Sequence, residues 1–267
     1  MKSPIIQVNA FTNRPFAGNP AAVCILSSPQ DDKWMQHIAI EMNLSETAFI
    51  YKESEDHYQL RWFTVSQEED LCGHATLASA HVLWEEELVD PKKPITFHSR
   101  SGPLTAHREG DHIRLDFPEE PITTLPTIDP ALQKHYGDII QTQGFNRLDH
   151  FLELTSEEAV LAFQPEVAIN HLVGRRGLII SSRYHRQDVD FVSRFFAPVL
   201  GHGIPEDPVT GSAHCALGPY WAERIGKKKF SAFQASARGG HLRVELLNNR
   251  VHLLGQAVTI WKGTLEV

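Results

Sequence analysis

The chain has 267 residues, a formal net charge of −8 at pH 7, 42% hydrophobic residues and 22% charged residues. This composition is typical of a globular protein, and the length predicts one large domain or two small ones. The charge argues against a nucleic-acid binder, because the basic residues cluster only at 175–176 and 227–229. Both short runs are typical of solvated turns.

The cysteine usage and the hydropathy pattern indicate the compartment. Cys24, Cys72 and Cys215 are odd in number and widely spaced, which argues against a disulfide framework and favours a reducing environment. No apolar run approaches the ~20 residues that a membrane-spanning helix needs, and the first residues lack the apolar core of a signal peptide. We therefore expect a cytoplasmic protein with no membrane partner.

The first half of the sequence predicts short strands and two helices. Apolar residues spaced by four predict a helix over 31–42, whereas 73–88 is apolar around most of its circumference, as in a buried helix. The strand-like segments are 5–11, 21–26, 47–52, 58–64, 95–99, 104–108 and 112–117.

A proline-rich stretch follows, and it marks the domain boundary. Four of the thirteen residues 118–130 are proline, which stiffens the chain and cannot donate to a strand ladder. We predict an N-terminal lobe of residues 1–117, a linker of residues 118–130 and a C-terminal lobe of residues 131–267. The last strand of the C-terminal lobe is free to return to the N-terminal lobe.

The second half repeats the order of the first. An aromatic strand at 61–64 leads through an acidic loop to a small-residue turn at 71–75, and 194–197 leads in the same way to 209–213. Each turn opens an apolar helix, the second one over 211–223. The remaining strand-like segments are 177–182, 189–197, 230–233, 241–247, 251–254 and 257–261. This repeat predicts a duplicated α+β unit with two pseudo-symmetric lobes, each placing strands around one helix.

The two helix starts, at Gly73 and Gly211, are candidate binding positions. A helix N-terminus presents unpaired N–H groups and a partial positive charge, and glycine lets a ligand approach the backbone closely. We expect the two helix starts to face each other and to bind a small carboxylate through the backbone, without an arginine or a metal.

Titratable side chains lie close to these two helix starts in the sequence. The helix dipole is expected to lower the pKa of His74 and keep its imidazole neutral, although a packing or capping histidine is an equal reading. Asp207 is a loop acid, a helix cap or a site residue, and Ser212 is a cap or a substrate contact. Glu46 alone resembles a surface glutamate, but in an apolar cleft it could both take and give a proton. No metal-binding, phosphate-binding or nucleotide-binding motif is present.

Six segments together resemble the phenazine-biosynthesis PhzF-like family, namely 8–12, 16–23, 44–49, 61–64, 71–76 and 206–213. The resemblance implies a diaminopimelate-epimerase-like fold, with each lobe a barrel-like sheet around a central helix and an active site in the cleft. It implies that Glu46 is the catalytic acid/base and that His74 and Asp207 support it. The substrate-binding residues expected from the matching segments are Asn19, Cys72, Gly73, Gly211 and Ser212. No cofactor is implied, and homodimers are common in the family.

The phenazine enzyme isomerises a dihydro-hydroxyanthranilate by moving a proton across a carboxylate-bearing ring. We therefore predict a cofactor-independent isomerase of a small unsaturated carboxylate. The first alternative is a racemase or epimerase that uses Cys72 and Glu46 as opposed bases. A two-thiol epimerase is disfavoured, because Thr210 stands where the second thiol would be and a threonine hydroxyl is no base at neutral pH. The second alternative is a non-catalytic binding relative, which would not need Glu46, His74 and Asp207 together.

Overall fold

The structure is a computed structural model that describes residues 2–172, 174–184, 189–197 and 206–266. It is an α+β protein built mostly of strands with a few helices. The chain divides into two compact units, Met1–Phe117 with His252–Val267 and Pro118–Val251. The second unit includes 118–130, which we predicted as a linker. Within the described ranges, no helix combines the length and the apolar character needed to cross a membrane.

The first unit contains two helices, α1 (Asp32–Met42) and α2 (Gly73–Glu85). Its strands are β1 (Lys2–Ala10), β2 (Asn19–Leu26), β3 (Glu46–Ser54), β4 (His57–Phe63), β5 (Glu68–Glu69), β6 (Ile95–Ser99), β7 (Gly102–Glu109) and β8 (His112–Pro118). The last strand of the chain, which we label β17 (Ala257–Glu266), pairs antiparallel with β1 and so completes this unit.

The second unit contains the remaining four α-helices of the described residues, α3 (Pro130–Tyr136), α4 (Glu157–Ala162), α5 (Glu166–His171) and α6 (Gly211–Ile225). Its strands are β9 (Thr123–Thr124), β10 (Ile140–Phe145), β11 (Asp149–Leu154), β12 (Gly177–Arg183), β13 (Phe191–Phe196), β14 (Lys229–Gln234) and β15 (Gly240–Leu247). Strand β16 (Arg250–Gly255) crosses the boundary between the units along the chain.

The two units repeat one pairing order. From β1 to β7 the neighbours β1–β2, β2–β3, β3–β4, β4–β6 and β6–β7 alternate between antiparallel and parallel. The series β10 to β15 has the same alternation, beginning and ending with an antiparallel pair. Parallel neighbours need a crossover, and helices fill these crossovers, with α2 between β4 and β6 and α6 between β13 and β14.

Helix α2 is the buried centre of the first unit. All of its residues except His81 and Glu85 are buried, and it packs against β1, β2, β3 and β17. A helix that is apolar or small on every side is stable only when it is surrounded in this way. The helix is shorter than the predicted 73–88 because Glu87 adopts a positive φ of 57°, which helical backbone does not allow.

Each unit has an ion pair between an arginine of one strand and a glutamate shortly before the buried helix. On β4, Arg61 binds Glu68 with Nη2–Oε2 2.6 Å, and on β13, Arg194 binds Glu206 with Nε–Oε1 2.7 Å. In both units the glutamate stands five residues before the first residue of the helix, α2 or α6.

Gly18, in the turn before β2, is packed closely against the backbone of β1. A Cβ on Gly18 would lie 2.2 Å from the carbonyl oxygen of Ala10, and Gly18 has a φ of +68°. At Gly110, with a φ of +65°, no atom lies within 4 Å of such a Cβ. We expect Gly110→Ala to cost about 1–2 kcal/mol of unfolding free energy from the backbone conformation alone. Gly18→Ala should cost about 1–3 kcal/mol more from overpacking.

Urea unfolding of the two variants checks this prediction. Equal losses in the two variants would show that the backbone does not pack closely at Gly18. The turn would then not be what places Asn19 at the start of β2.

Candidate active site

Three elements of the first unit begin at one point, and each brings a polar side chain there. Asn19 is the first residue of β2, Glu46 is the first residue of β3, and His74 is the second residue of α2. Strands β2 and β3 are parallel, with Ala21 beside Glu46, so both begin at the same edge of the sheet. The side chains of the three residues meet at this edge.

His74 lies between the other two. Its Nδ1 is 3.2 Å from Nδ2 of Asn19, and its Nε2 is 3.2 Å from Oε2 of Glu46. Burial lowers the pKa of His74 to about 3, because the charged imidazolium would lose its hydration. The direction agrees with the prediction from the helix start, but burial is the cause. The imidazole is therefore neutral at physiological pH.

The contact with Asn19 selects the tautomer of this neutral ring. The amide nitrogen of Asn19 is a donor only, so Nδ1 of His74 accepts its hydrogen bond. In a neutral imidazole the other nitrogen then carries the proton. Nε2–H therefore lies beside the carboxylate of Glu46, 3.2 Å from Oε2, although its direction gives no hydrogen bond to that oxygen.

Glu46 is largely enclosed. Its side chain is 17% exposed, and Oε2, the oxygen beside His74, is itself buried. The exposed fraction therefore belongs to other atoms of the side chain. Oε2 thus lies beside the His74 ring, while part of the Glu46 side chain remains accessible.

Cys72 immediately precedes α2 and is 5% exposed. Its Sγ lies 3.5 Å from Nδ1 of His74. One donor atom from each of Glu46, Cys72 and His74 lies within 4.8 Å of the others, which is the one such trio found in the described part of the chain. Carboxylate, thiolate and imidazole together could hold a zinc-type ion, although we predicted no metal here.

The second unit holds Asp207 in a fixed loop. Thr210 Oγ1 donates to Asp207 Oδ2 at 2.5 Å, and Gln234 Nε2 donates to the Asp207 carbonyl oxygen at 2.8 Å. Gln234 also accepts a hydrogen bond from the backbone N–H of Thr210 and is fully buried. The hydroxyl of Thr210 therefore helps to fix the carboxylate of Asp207.

Ser212, near the start of α6, has an arginine beside it. Arg176 Nη2 donates to Ser212 Oγ at 2.8 Å, and the same guanidinium binds both carboxylate oxygens of the fully buried Asp149. The expectation of a helix start without an arginine is therefore wrong for α6. The assignment of Arg176 to a solvated turn is wrong too, because its side chain is only 31% exposed.

The two helix starts share one further property. The residues preceding α2 and α6, Cys72 and Thr210, make no side-chain capping hydrogen bond to their helices. Gly73 and Gly211, the first residue of each helix, are buried. The first N–H groups of both helices are thus left to other acceptors.

The structure groups the predicted residues by unit. The first group is Asn19, Glu46, Cys72, Gly73 and His74, and the second is Asp207, Gly211 and Ser212. Sequence reasoning missed Arg176 and Gln234, which contact the second group. No local pattern indicates either contact, because Arg176 is 36 residues from Ser212 and Gln234 is 24 residues from Thr210.

A family model described as "Phenazine biosynthesis-like protein" matches residues 8–263 of this chain. An uncharacterized isomerase of Halalkalibacterium halodurans is 49% identical over 265 residues, and the match covers 99% of each chain.

Solved structures agree with this match. The crystal structure of a phenazine biosynthesis protein of the PhzF family from Enterococcus faecalis superposes with a TM-score of 0.91 at 42% identity over the full length of both chains. A probable proline racemase from Agrobacterium radiobacter K84 has a TM-score of 0.68 at 12% identity, covering 99% of this chain and 93% of that one, which shows a shared fold. The resemblance and the mixed α+β class predicted from sequence are confirmed, and the chain belongs to the phenazine biosynthesis-like PhzF family and is an isomerase.

Proposed function

We propose that this isomerase moves one proton between carbons of a small unsaturated carboxylate without a cofactor, and that Glu46 is the general acid and base. The contact between Glu46 and His74 carries the proposal. A partly accessible carboxylate with one oxygen 3.2 Å from an imidazole nitrogen is placed to take a proton and return it.

The repeat supports a mechanism with one carboxylate base. Arg61 pairs with Phe49 between β4 and β3, and Arg194 pairs with Ile180 between β13 and β12, so Gly177 stands where the first unit has Glu46. A Cβ at Gly177 would lie 2.4 Å from Phe195 Cζ, so no side chain fits there. A single carboxylate that takes and returns the proton on one face needs no counterpart in the second unit.

The distance between Cys72 and Glu46 argues against the opposed-base epimerase. Two bases on opposite faces of one carbon each need to lie about 3–3.5 Å from it, which separates them by roughly 6–7 Å. A carboxylate oxygen of Glu46 lies within 4.8 Å of Cys72 Sγ. In addition, a neutral His74 lacks the charge with which an imidazolium would stabilise a thiolate.

The other site residues have supporting roles in this proposal. His74 Nε2–H lies 3.2 Å from Oε2 of Glu46 and stabilises the charged form of this carboxylate electrostatically. Asp207 binds a polar group of the substrate, and its rigid support by Thr210 and Gln234 favours such a role because it costs no rearrangement on binding. The N–H groups at the helix starts, together with Ser212, bind the carboxylate, since the preceding side chains do not cap them.

Glu46→Gln tests the proposed chemistry. The wild-type protein should isomerise dihydro-hydroxyanthranilate, or another ring carboxylate with a β,γ double bond. In D₂O the product should contain deuterium to the extent that the proton on Glu46 exchanges with solvent before its return. Glu46→Gln keeps the size and polarity of the side chain but cannot exchange the proton, so the rate should fall about 10²–10⁴-fold. Mass spectrometry and proton NMR measure both the incorporation and the rate.

Glu53→Gln is the matched control, because Glu53 lies on the same strand and its side chain is outside the site. It should leave the rate within twofold of wild type, and Cys72→Ser should lower the rate much less than Glu46→Gln does. If Glu46→Gln kept nearly full activity while Cys72→Ser abolished it, the epimerase alternative would replace this proposal.

The buried histidines predict how stability depends on pH. The pKa of His74 is lowered to about 3 and that of His214 to about 4, both by burial, whereas an unfolded histidine has a pKa near 6.5. Below about pH 6.5 the unfolded chain therefore binds protons that the folded one does not, and stability falls as pH falls. Each residue adds up to about 1.4 kcal/mol per pH unit to this slope.

Urea unfolding between pH 6 and pH 4.5 measures the slope. His74→Gln should reduce it by up to about 1.4 kcal/mol per pH unit, whereas His37→Gln, at an exposed position of α1, serves as the control. A slope that His74→Gln leaves unchanged would show that His74 is already protonated in the folded protein, contrary to the neutral N–H donor that the mechanism needs.

A further inference from the structure

The hydroxyl of Ser212 accepts a hydrogen bond, but its own hydrogen has no acceptor among the described residues. A serine hydroxyl offers one O–H donor and two lone pairs, and an arginine can only donate. The hydrogen bond from Arg176 Nη2, at 2.8 Å, therefore uses a lone pair of Ser212 Oγ. Within the described residues no acceptor binds the O–H hydrogen of Ser212, although the residue is only 9% exposed.

The backbone carbonyls of the preceding turn bind other side chains. The carbonyl oxygen of Pro208, four residues before Ser212, accepts from Ser236 Oγ at 2.9 Å. The carbonyl oxygen of Thr210 accepts from His214 Nδ1 at 2.8 Å. Ser212 Oγ donates to neither of them, although a serine near a helix often donates to the preceding turn.

Arg176 is itself held rigidly. Its Nε and Nη2 bind the two carboxylate oxygens of Asp149, at 3.1 and 2.8 Å, and Asp149 is fully buried. The guanidinium also lies over the ring of Phe195, with 5.3 Å between Cζ and the ring centroid. A planar guanidinium bound on two sides in this way has little freedom to leave Ser212.

We propose that Arg176 is a positioning residue, which keeps Ser212 Oγ as an acceptor on one side so that its O–H donates to the carboxylate of the substrate. Arg176 acts through Ser212, because the Nη2 that donates to Ser212 also donates to the buried Asp149. The inference rests on the proposed function in one respect, namely that Ser212 contacts the substrate carboxylate.

Two related ligands separate the carboxylate contact from the rest of binding. The probe is 3-hydroxyanthranilate, whose aromatic ring has no acidic carbon-bound hydrogen and therefore does not react. Its counterpart is 2-aminophenol, which lacks the carboxylate. Calorimetric titration should show that Ser212→Ala weakens binding of 3-hydroxyanthranilate about tenfold, as expected for the loss of a hydrogen bond to a charged acceptor. The affinity for 2-aminophenol should change less than twofold.

Arg176→Lys keeps a positive charge beside Asp149. It lacks the planar guanidinium that donates hydrogen bonds to Asp149 and Ser212 at the same time. It should weaken 3-hydroxyanthranilate binding about five- to tenfold when Ser212 is present and less than twofold in the Ser212→Ala background. Arg224→Lys, which changes an arginine at the other end of α6, is the matched control and should leave the affinity unchanged.

The double variant Arg176→Gln with Asp149→Asn controls for misfolding. It removes both charges of the ion pair, so no buried carboxylate is left without a partner. With a melting temperature near that of wild type, it should reproduce the loss of affinity seen with Arg176→Lys.

A loss that persists in the Ser212→Ala background, or one equally large for 2-aminophenol, would overturn the proposal, and so would full affinity in all these variants. Glu46→Gln keeps the two proposals distinct. If Glu46→Gln turns over normally while the coupling between Arg176 and Ser212 is found, the proposed acid/base fails and the positioning role stands.

Discussion

The neutral imidazole of His74 is the group on which the rest of the candidate site depends. A charged imidazolium in the buried first turn of α2 would lose its hydration, and burial therefore holds the pKa of His74 near 3. Neutrality leaves one nitrogen to accept from Asn19 and one N–H beside the carboxylate of Glu46. The packing of α2 against β2 and β3 thus sets both the position and the hydrogen-bonding state of the site.

The two units share one pairing order but differ in the chemistry at corresponding positions. Glu46 in the first unit corresponds to Gly177 in the second, and Cys72 before α2 corresponds to Thr210 before α6. The first unit thus has a carboxylate, an imidazole and a thiol near the start of α2, whereas the second has hydroxyls supported by buried polar side chains near the start of α6. This difference between corresponding positions favours the proposed single-base proton transfer over a symmetric two-base reaction.

Sequence reasoning was most successful where the signal is local. The buried helices and their starts at Gly73 and Gly211 follow from short patterns, in which an aromatic strand, an acidic loop and a small-residue turn succeed one another. The contacts between distant residues could not be predicted from such patterns. His74 meets Asn19 from 55 residues away, and Arg176, which by itself resembles a solvated turn residue, is fixed by the buried Asp149. The sequence also predicted the direction of the His74 pKa shift from the helix dipole, whereas its cause, burial, depends on the packed structure.

The protonation state of His74 is the most direct test of this account. Long-range proton–nitrogen NMR of the ¹⁵N-labelled protein distinguishes the two neutral tautomers of an imidazole from the imidazolium. The account predicts a single neutral form with the proton on Nε2 throughout the range from pH 5 to pH 8. A ring that titrates near the ordinary histidine pKa, or one that carries its proton on Nδ1, would contradict it.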